Sequence, residues 1–306
     1  MMPIQKIVSH GVTHPFGDHR SVHQAFPAGI DTVDADPFLM CDYFDMIEQN
    51  GPSKHADDFP VNWHPHRGFD ICSYLRSGTG RHGDSLGNRE TFATPGMQWM
   101  STGSGVEHAE GGATAAGTRV QGFQIWVNVP SLEKMKPPRY GTVPTEKLPL
   151  VQLNEKVQAR ILAGNLGEQY GPFETVQPVQ MIDFEVSSGG EFSFDVTVGL
   201  DTAMLYVYEG SLRVNQESIA AEGNVVLLNA TSSAHRGIAL QADGDGKALL
   251  FAGKKLKQPI AWHGPIVMST QQQVRETLRE LQSGQFPPVR VDWDYKRIAA
   301  KPKDEL

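Results

Sequence analysis

The chain has 306 residues, with 35 acidic against 27 basic side chains and a net charge of −8. That balance argues against a broad basic surface for nucleic acid, and no apolar run approaches the roughly 20 residues of a membrane-spanning helix. Two cysteines, Cys41 and Cys72, make neither a disulfide framework nor a Cys-x-x-Cys motif. The start, Met1-Met2-Pro3-Ile4-Gln5-Lys6, lacks the apolar stretch of a signal peptide, so a reducing cytoplasm is the expected compartment. The last four residues, Lys303-Asp304-Glu305-Leu306, match an endoplasmic-reticulum retention signal; with no entry signal they are read as coincidence.

In chain order, His10, His14, His19, His23 and His55 come first, at spacings that form no ligand set, and are read as surface histidines. His64-Pro65-His66 follows, and His108-Ala109-Glu110 lies some 40 residues on. Side chains at i and i+2 on a strand share a face. Two such strands, neighbours in one sheet, bring three imidazoles and a carboxylate to one point. This donor set suits a borderline first-row ion: iron, zinc, manganese, nickel or copper. Four protein ligands on an octahedral ion leave about two positions open, which favours chemistry over structural bracing. Parity carried on from His66 aims Asp70, Cys72 and Tyr74 at the same interior, while Gln98, Trp99 and Met100 are candidates to line a pocket. Glu107, out of phase with His108 and Glu110, is expected to face away.

Thirty-one glycines and twenty prolines, scattered singly, punctuate strand-like segments, as in an antiparallel sandwich or barrel. The segment ending at Gly78 and the one opening at Gly96 recur at Tyr206–Gly210 and Gly223–Leu228. In that register His235 takes the place of His108, Gly237 that of Glu110, and Val196 and Val198 those of the first two histidines. The second copy is therefore expected to keep the barrel and lose the metal, with the valines in its core and His235 structural or exposed. Pro130 to Pro138 reads as a loop or linker. Lys134, Lys136 and Arg139, with Lys254, Lys255 and Lys257, are read as solvated lysines and arginine or a contact patch. Ser269 is the expected cap of a helix carrying Val274, Leu278 and Leu281 and stopping at Gly284, packed on a barrel. A strand-like piece from Val289 and a frayed end from Arg297 complete the chain.

Several segments resemble the pirin signature within the cupin superfamily: His64-Pro65-His66-Arg67-Gly68-Phe69, Gln98-Trp99-Met100 and Gly105-Val106-Glu107-His108-Ala109-Glu110. Asp36-Pro37-Phe38-Leu39, Gln124-Ile125-Trp126-Val127-Asn128, Met135-Lys136-Pro137-Pro138-Arg139-Tyr140 and His263-Gly264-Pro265-Ile266-Val267-Met268 are similar too, in order along most of the chain. The loop His82-Gly83-Asp84-Ser85-Leu86-Gly87-Asn88 resembles one common among bacterial members. The resemblance implies an all-β bicupin of two jelly-roll-like barrels packed face to face, with a short C-terminal helix. The expected division is 1–135, holding the metal, and 136–306, without metal and including the helix and tail. It implies one non-haem Fe2+ on His64, His66, His108 and Glu110, with Asp70 outside the ligand set. It implies quercetin 2,3-dioxygenase activity, cleaving a flavonol with O2 and releasing CO, with Glu110 as the base. The alternative is a redox-responsive regulator binding a transcription or metabolic protein.

Overall fold

A computed structural model describes residues 1–11, 13–16, 19–54, 58–231 and 234–291, without the side chains of 14–16 and 19–21. The chain is mostly antiparallel strand with one α-helix, and no helix among the described residues is long and apolar enough to cross a membrane. It forms two compact units, one of residues 1–12, 23–42 and 146–257, the other of 13–22, 43–145 and 258–306. The strand Ile4–Ser9 pairs antiparallel with Asn224–Leu228, while the helix Gln271–Ser283 packs in the other unit.

The unit built on 146–257 holds a sheet in the order Ile4–Ser9, Asn224–Leu228, Thr202–Val214, Gly246–Gly253, Val179–Val186, Val157–Ala163, Leu150–Asn154. The sheet is an open ladder and not a closed barrel. Strand Glu191–Asp195 pairs with Gly237–Gln241, setting Phe192 opposite Leu240 and Phe194 opposite Ile238. The rings of Phe184, Phe192 and Phe194 meet at 4.8–5.7 Å between centroids, so aromatic packing fills the interior. Val196 is buried there as expected, but Val198 is 78% exposed and belongs to no core. His235 is exposed.

The second unit sets two sheets around an interior. One runs Arg139–Val143, Gly96–Ser101, Phe69–Ser77, Arg119–Asn128, with further strands beyond the last; the other runs Val61–His66, Val106–Glu110, Thr79–Asp84, Arg89–Ala93. Between His66 and Phe69 the chain turns at Gly68, whose φ is +90°. A Cβ there would lie 2.2 Å from the Val267 carbonyl oxygen, so only glycine fits. The turn ends one strand and starts another in a different sheet, and the side-chain phase set by His66 does not pass through it.

Pro130 to Pro138 is loop and mostly exposed, apart from one residue. Lys134, read as a surface cation, is buried. Its Nζ donates to the carbonyls of Gly68 at 2.6 Å and Val267 at 3.1 Å and to Asn128 Oδ1 at 2.5 Å. Burial pushes its pKa down to about 7, opposed by the Asp70 carboxylate. Lys136 is exposed and pairs with Glu133 at 2.7 Å, and Lys255 donates to the Val33 carbonyl at 2.7 Å.

The helix starts at Thr270, one residue later than the expected cap at Ser269. Thr270 Oγ1 accepts from the Gln273 N–H at 3.2 Å, and Gln273 Oε1 accepts from the Thr270 N–H at 3.1 Å, a reciprocal capping box. Gly284 ends it in the left-handed region, as expected. Val274 and the half-buried Leu278 pack on Ala261, Ile266 and Met268. The polar anchor is Arg67, the residue after His66. Its Nε donates to the Ser104 carbonyl at 2.8 Å, Nη1 to Thr277 Oγ1 at 2.9 Å and Nη2 to Glu280 at 2.5 Å, with Phe286 under the guanidinium. The region from residue 292, including the strand-like piece past Val291 and the last four residues, lies outside the described residues. Arg67→Met should lower the unfolding free energy by about 2–4 kcal/mol through lost charged hydrogen bonds, read by urea denaturation. An unchanged midpoint would mean that apolar contacts alone hold the helix.

Candidate metal centre

The strands Val61–His66 and Val106–Glu110 pair antiparallel with His64 opposite His108 and His66 opposite Val106. The three rings stand 4.3 Å (His64–His108), 4.7 Å (His64–His66) and 4.9 Å (His66–His108) apart between centroids. One ligand nitrogen from each lies within 4.8 Å of the other two. The hydrogen bonds say which nitrogen is offered. His64 Nδ1 meets the Asn62 carbonyl at 2.7 Å and His66 Nδ1 the Pro265 carbonyl at 3.3 Å, which leaves Nε2 of each toward the cluster. His66 Nε2 and both nitrogens of His108 are buried with no hydrogen-bond partner. Orphaned buried imidazole nitrogens converging on one point are costly unless something binds them, so the residues fit a metal ion.

Burial pushes the pKa of His64 down and those of His66 and His108 well down, with the neighbouring imidazoles adding to the shift at all three. All three are therefore neutral ligands at neutral pH.

Glu110 shares the face of His108, because pairing with Thr79–Asp84 is regular along this strand. Its carboxylate nevertheless stands outside the three-histidine group. It accepts from Gln124 Nε2 at 3.0 Å and from Gln98 Nε2 at 3.3 Å. Burial pushes its pKa up, opposed by His82 and by these two amides. Beside it lies a cavity of about 80 Å3, bordered by Gln98, Gln124, Ser73, Leu75, Phe92 and Arg81.

Ser73 and Leu75 in that border correct the parity expectation. Asp70, Cys72 and Tyr74 occupy the other face of Phe69–Ser77, because the Gly68 turn resets the phase. Asp70 accepts from Trp99 Nε1 at 3.0 Å, and burial pushes its pKa up to about 6. Tyr74 stacks on Phe123, and the Cys72 thiol is buried and its pKa raised, as in an inert core cysteine. Of the three pocket candidates Gln98 borders the cavity, Trp99 turns to Asp70, and Met100 is buried without reaching the cavity. Glu107 is buried.

His82 was not singled out as a site residue, yet its ring lies 5.4 Å from that of His108. Its Nε2 meets Asp84 Oδ2 at 3.0 Å and its ring stacks on Tyr140 at 4.2 Å. The signal was the pairing of its strand with the His108 strand, which sets His82 opposite Glu110. Of the early histidines, His10 and His23 stack at 4.4 Å in the other unit and the His10 Nδ1 meets the Tyr206 hydroxyl, which is packing and not chelation. The side chains of His14, His19 and His55 lie outside the described residues.

For the metal-free protein the three buried imidazoles fix the sign of the acid response. Below pH 6.5 the unfolded chain binds protons that the folded cluster refuses, so stability falls as pH falls from about 6.5. Thermal melts from pH 7.5 to 5 should show this slope, and His66→Gln or His108→Gln should flatten it.

Comparison with known proteins gives this geometry a context. The Pirin family profile matches residues 19–127, and that of the Pirin C-terminal cupin domain matches 181–287. A pirin-like protein of Caulobacter vibrioides is 32% identical over 93% of this chain and 100% of its own. A protein of Pseudomonas aeruginosa, provisionally named a quercetin 2,3-dioxygenase, is 33% identical over 81% of this chain and 86% of its own. A solved structure of quercetin 2,3-dioxygenase from Acinetobacter baumannii, 28% identical, superposes with a TM-score of 0.84 over 94% of this chain and 99% of that one. With both of its cupin domains matched and its relatives aligned nearly end to end, this chain belongs to the pirin family.

Proposed function

We propose that the chain is a metal-dependent dioxygenase that cleaves a flavonol-like molecule with O2 and releases CO. The observation that carries this is the cluster of three neutral imidazoles, two of them with unpartnered buried nitrogens, close to the Glu110 carboxyl group. The similarity to quercetin 2,3-dioxygenases supports the choice of substrate class. His64, His66 and His108 would hold the ion, with Glu110 as the fourth ligand after leaving its amide partners. Fe2+ is our assignment, and the same donors accept zinc, manganese, nickel or copper. When bound, the ion supplies Lewis-acid stabilisation of the flavonol 3-oxyanion and a centre for O2 chemistry.

The chain's own groups do the rest. Glu110 takes the 3-hydroxyl proton on a carboxylate oxygen, and its raised pKa makes it a stronger base than an exposed glutamate. Gln98 and Gln124 orient that carboxylate. Leu75, Phe92 and Val61 give the cavity apolar walls that exclude water from the reacting edge.

The cavity, at about 80 Å3, is well below the roughly 300–1,000 Å3 of sites that enclose a drug-sized ligand. It takes the edge of a flavonol next to Glu110 and not the whole molecule. That small volume is also the specific observation favouring a second reading, a redox-responsive iron-binding regulator. In it, exchange between Fe(II) and Fe(III) changes the site charge by one unit and so the affinity for a protein partner.

Anaerobic loading with Fe(II) followed by quercetin and O2 should yield CO as quercetin is consumed. His108→Ala should lose both metal and turnover, and chelation of the wild type should abolish turnover until Fe(II) is restored. Glu110→Gln should retain metal while kcat falls about 10²–10⁴-fold, the usual worth of a general base. Fully loaded protein that makes no CO would sink the dioxygenase and leave the regulator.

A further inference from the structure

Three neighbouring strands place Gln98, Ser73 and Gln124 side by side in one row, Ser73 directly opposite both glutamines. All three are buried, at 2%, 7% and 5% exposure. The donors around them determine which way each amide points. The Tyr140 hydroxyl donates to Gln98 Oε1 at 3.2 Å, so Gln98 Nε2 is the end left for Ser73, at 3.1 Å, and for Glu110. The Ser73 hydroxyl spends its one proton on Gln124 Oε1, so Gln124 Nε2 is the end left for Glu110. The row therefore presents two N–H donors, and no acceptor, to the two oxygens of one carboxylate.

We propose that Gln98, Ser73 and Gln124 form a second resting place for the Glu110 carboxylate, in competition with the metal. The inference rests on the reading that His64, His66 and His108 bind an ion which Glu110 joins. When Glu110 moves to the ion, both amides lose an acceptor in a buried setting, which is costly. Metal binding is weakened by that amount, and Glu110 gains a defined place to occupy whenever it leaves the ion. Gln98, Ser73 and Gln124 act through Glu110 as positioning residues.

The probe is Ni(II) alone, a redox-stable ion for this donor set, with Kd measured by competition against a chromophoric chelator. Gln98→Met and Gln124→Met each remove a donor at similar length. Each should tighten Ni(II) binding about ten- to hundredfold, the scale of one hydrogen bond to a charged group. In a Glu110→Gln background the same substitutions should leave Kd unchanged. That dependence separates competition for Glu110 from a general disturbance of the fold, which would act in both backgrounds. Ser73→Ala, which frees both amides to rotate, is the second variant should either methionine chain fail to fold, and its tightening should vanish in the same background. Unchanged Kd values in the native background, or equal changes in both, would overturn the inference. Wild-type protein that binds Ni(II) no better than His108→Ala would overturn it together with the metal-site reading.

Discussion

Antiparallel pairing of Val61–His66 with Val106–Glu110 is the constraint on which the centre depends. It sets His64 directly opposite His108, and strand period then adds His66 from one side and Glu110 from the other. A shift of one residue would turn the imidazoles on one strand to the opposite face and dissolve the cluster. The pairing is held by its surroundings. Arg67, next in sequence to His66, is locked to Ser104, Thr277 and Glu280, while the Pro265 carbonyl receives the His66 ring. The C-terminal helix and the hairpin before it are therefore part of the support of the metal site.

The cluster shows how a site is kept ready without an ion. Buried imidazoles refuse protons, so they offer lone pairs at neutral pH, and their desolvation is a cost the fold bears. The carboxylate is handled differently. Burial shifts it toward its protonated form, and two amide donors oppose that shift. Two neighbouring groups with opposite electrostatic needs are thus satisfied by separate devices.

The unit built on residues 146–257 illustrates the same topology used for packing alone. Where the other unit pairs His64 with His108, this one pairs Phe194 with Ile238 and Phe192 with Leu240. The phenylalanine rings fill the interior of this unit. Its N-terminal edge strand, Ile4–Ser9, comes from the far end of the sequence, which is why a single cut in the chain does not separate the units.

Much of this was legible in the sequence, because the relevant signals are local. The spacing of His64, His66 and His108 encoded the three-histidine cluster through strand period, the repeat of glycine-punctuated segments encoded two similar halves, and Gly284 marked the helix end. What the sequence left undecided depended on contacts between distant residues. Parity failed after His66 because the Val267 carbonyl demands a turn at Gly68, so Ser73 and not Cys72 looks toward Glu110. Lys134 looked like a surface cation until two distant carbonyls, of Gly68 and Val267, joined Asn128 in enclosing it. The two amides that hold Glu110 come from the strands just before and just after its own in sequence, but those strands belong to a different sheet. Strand period fixes which face a side chain takes, and only the packing of one sheet against another fixes what it meets there.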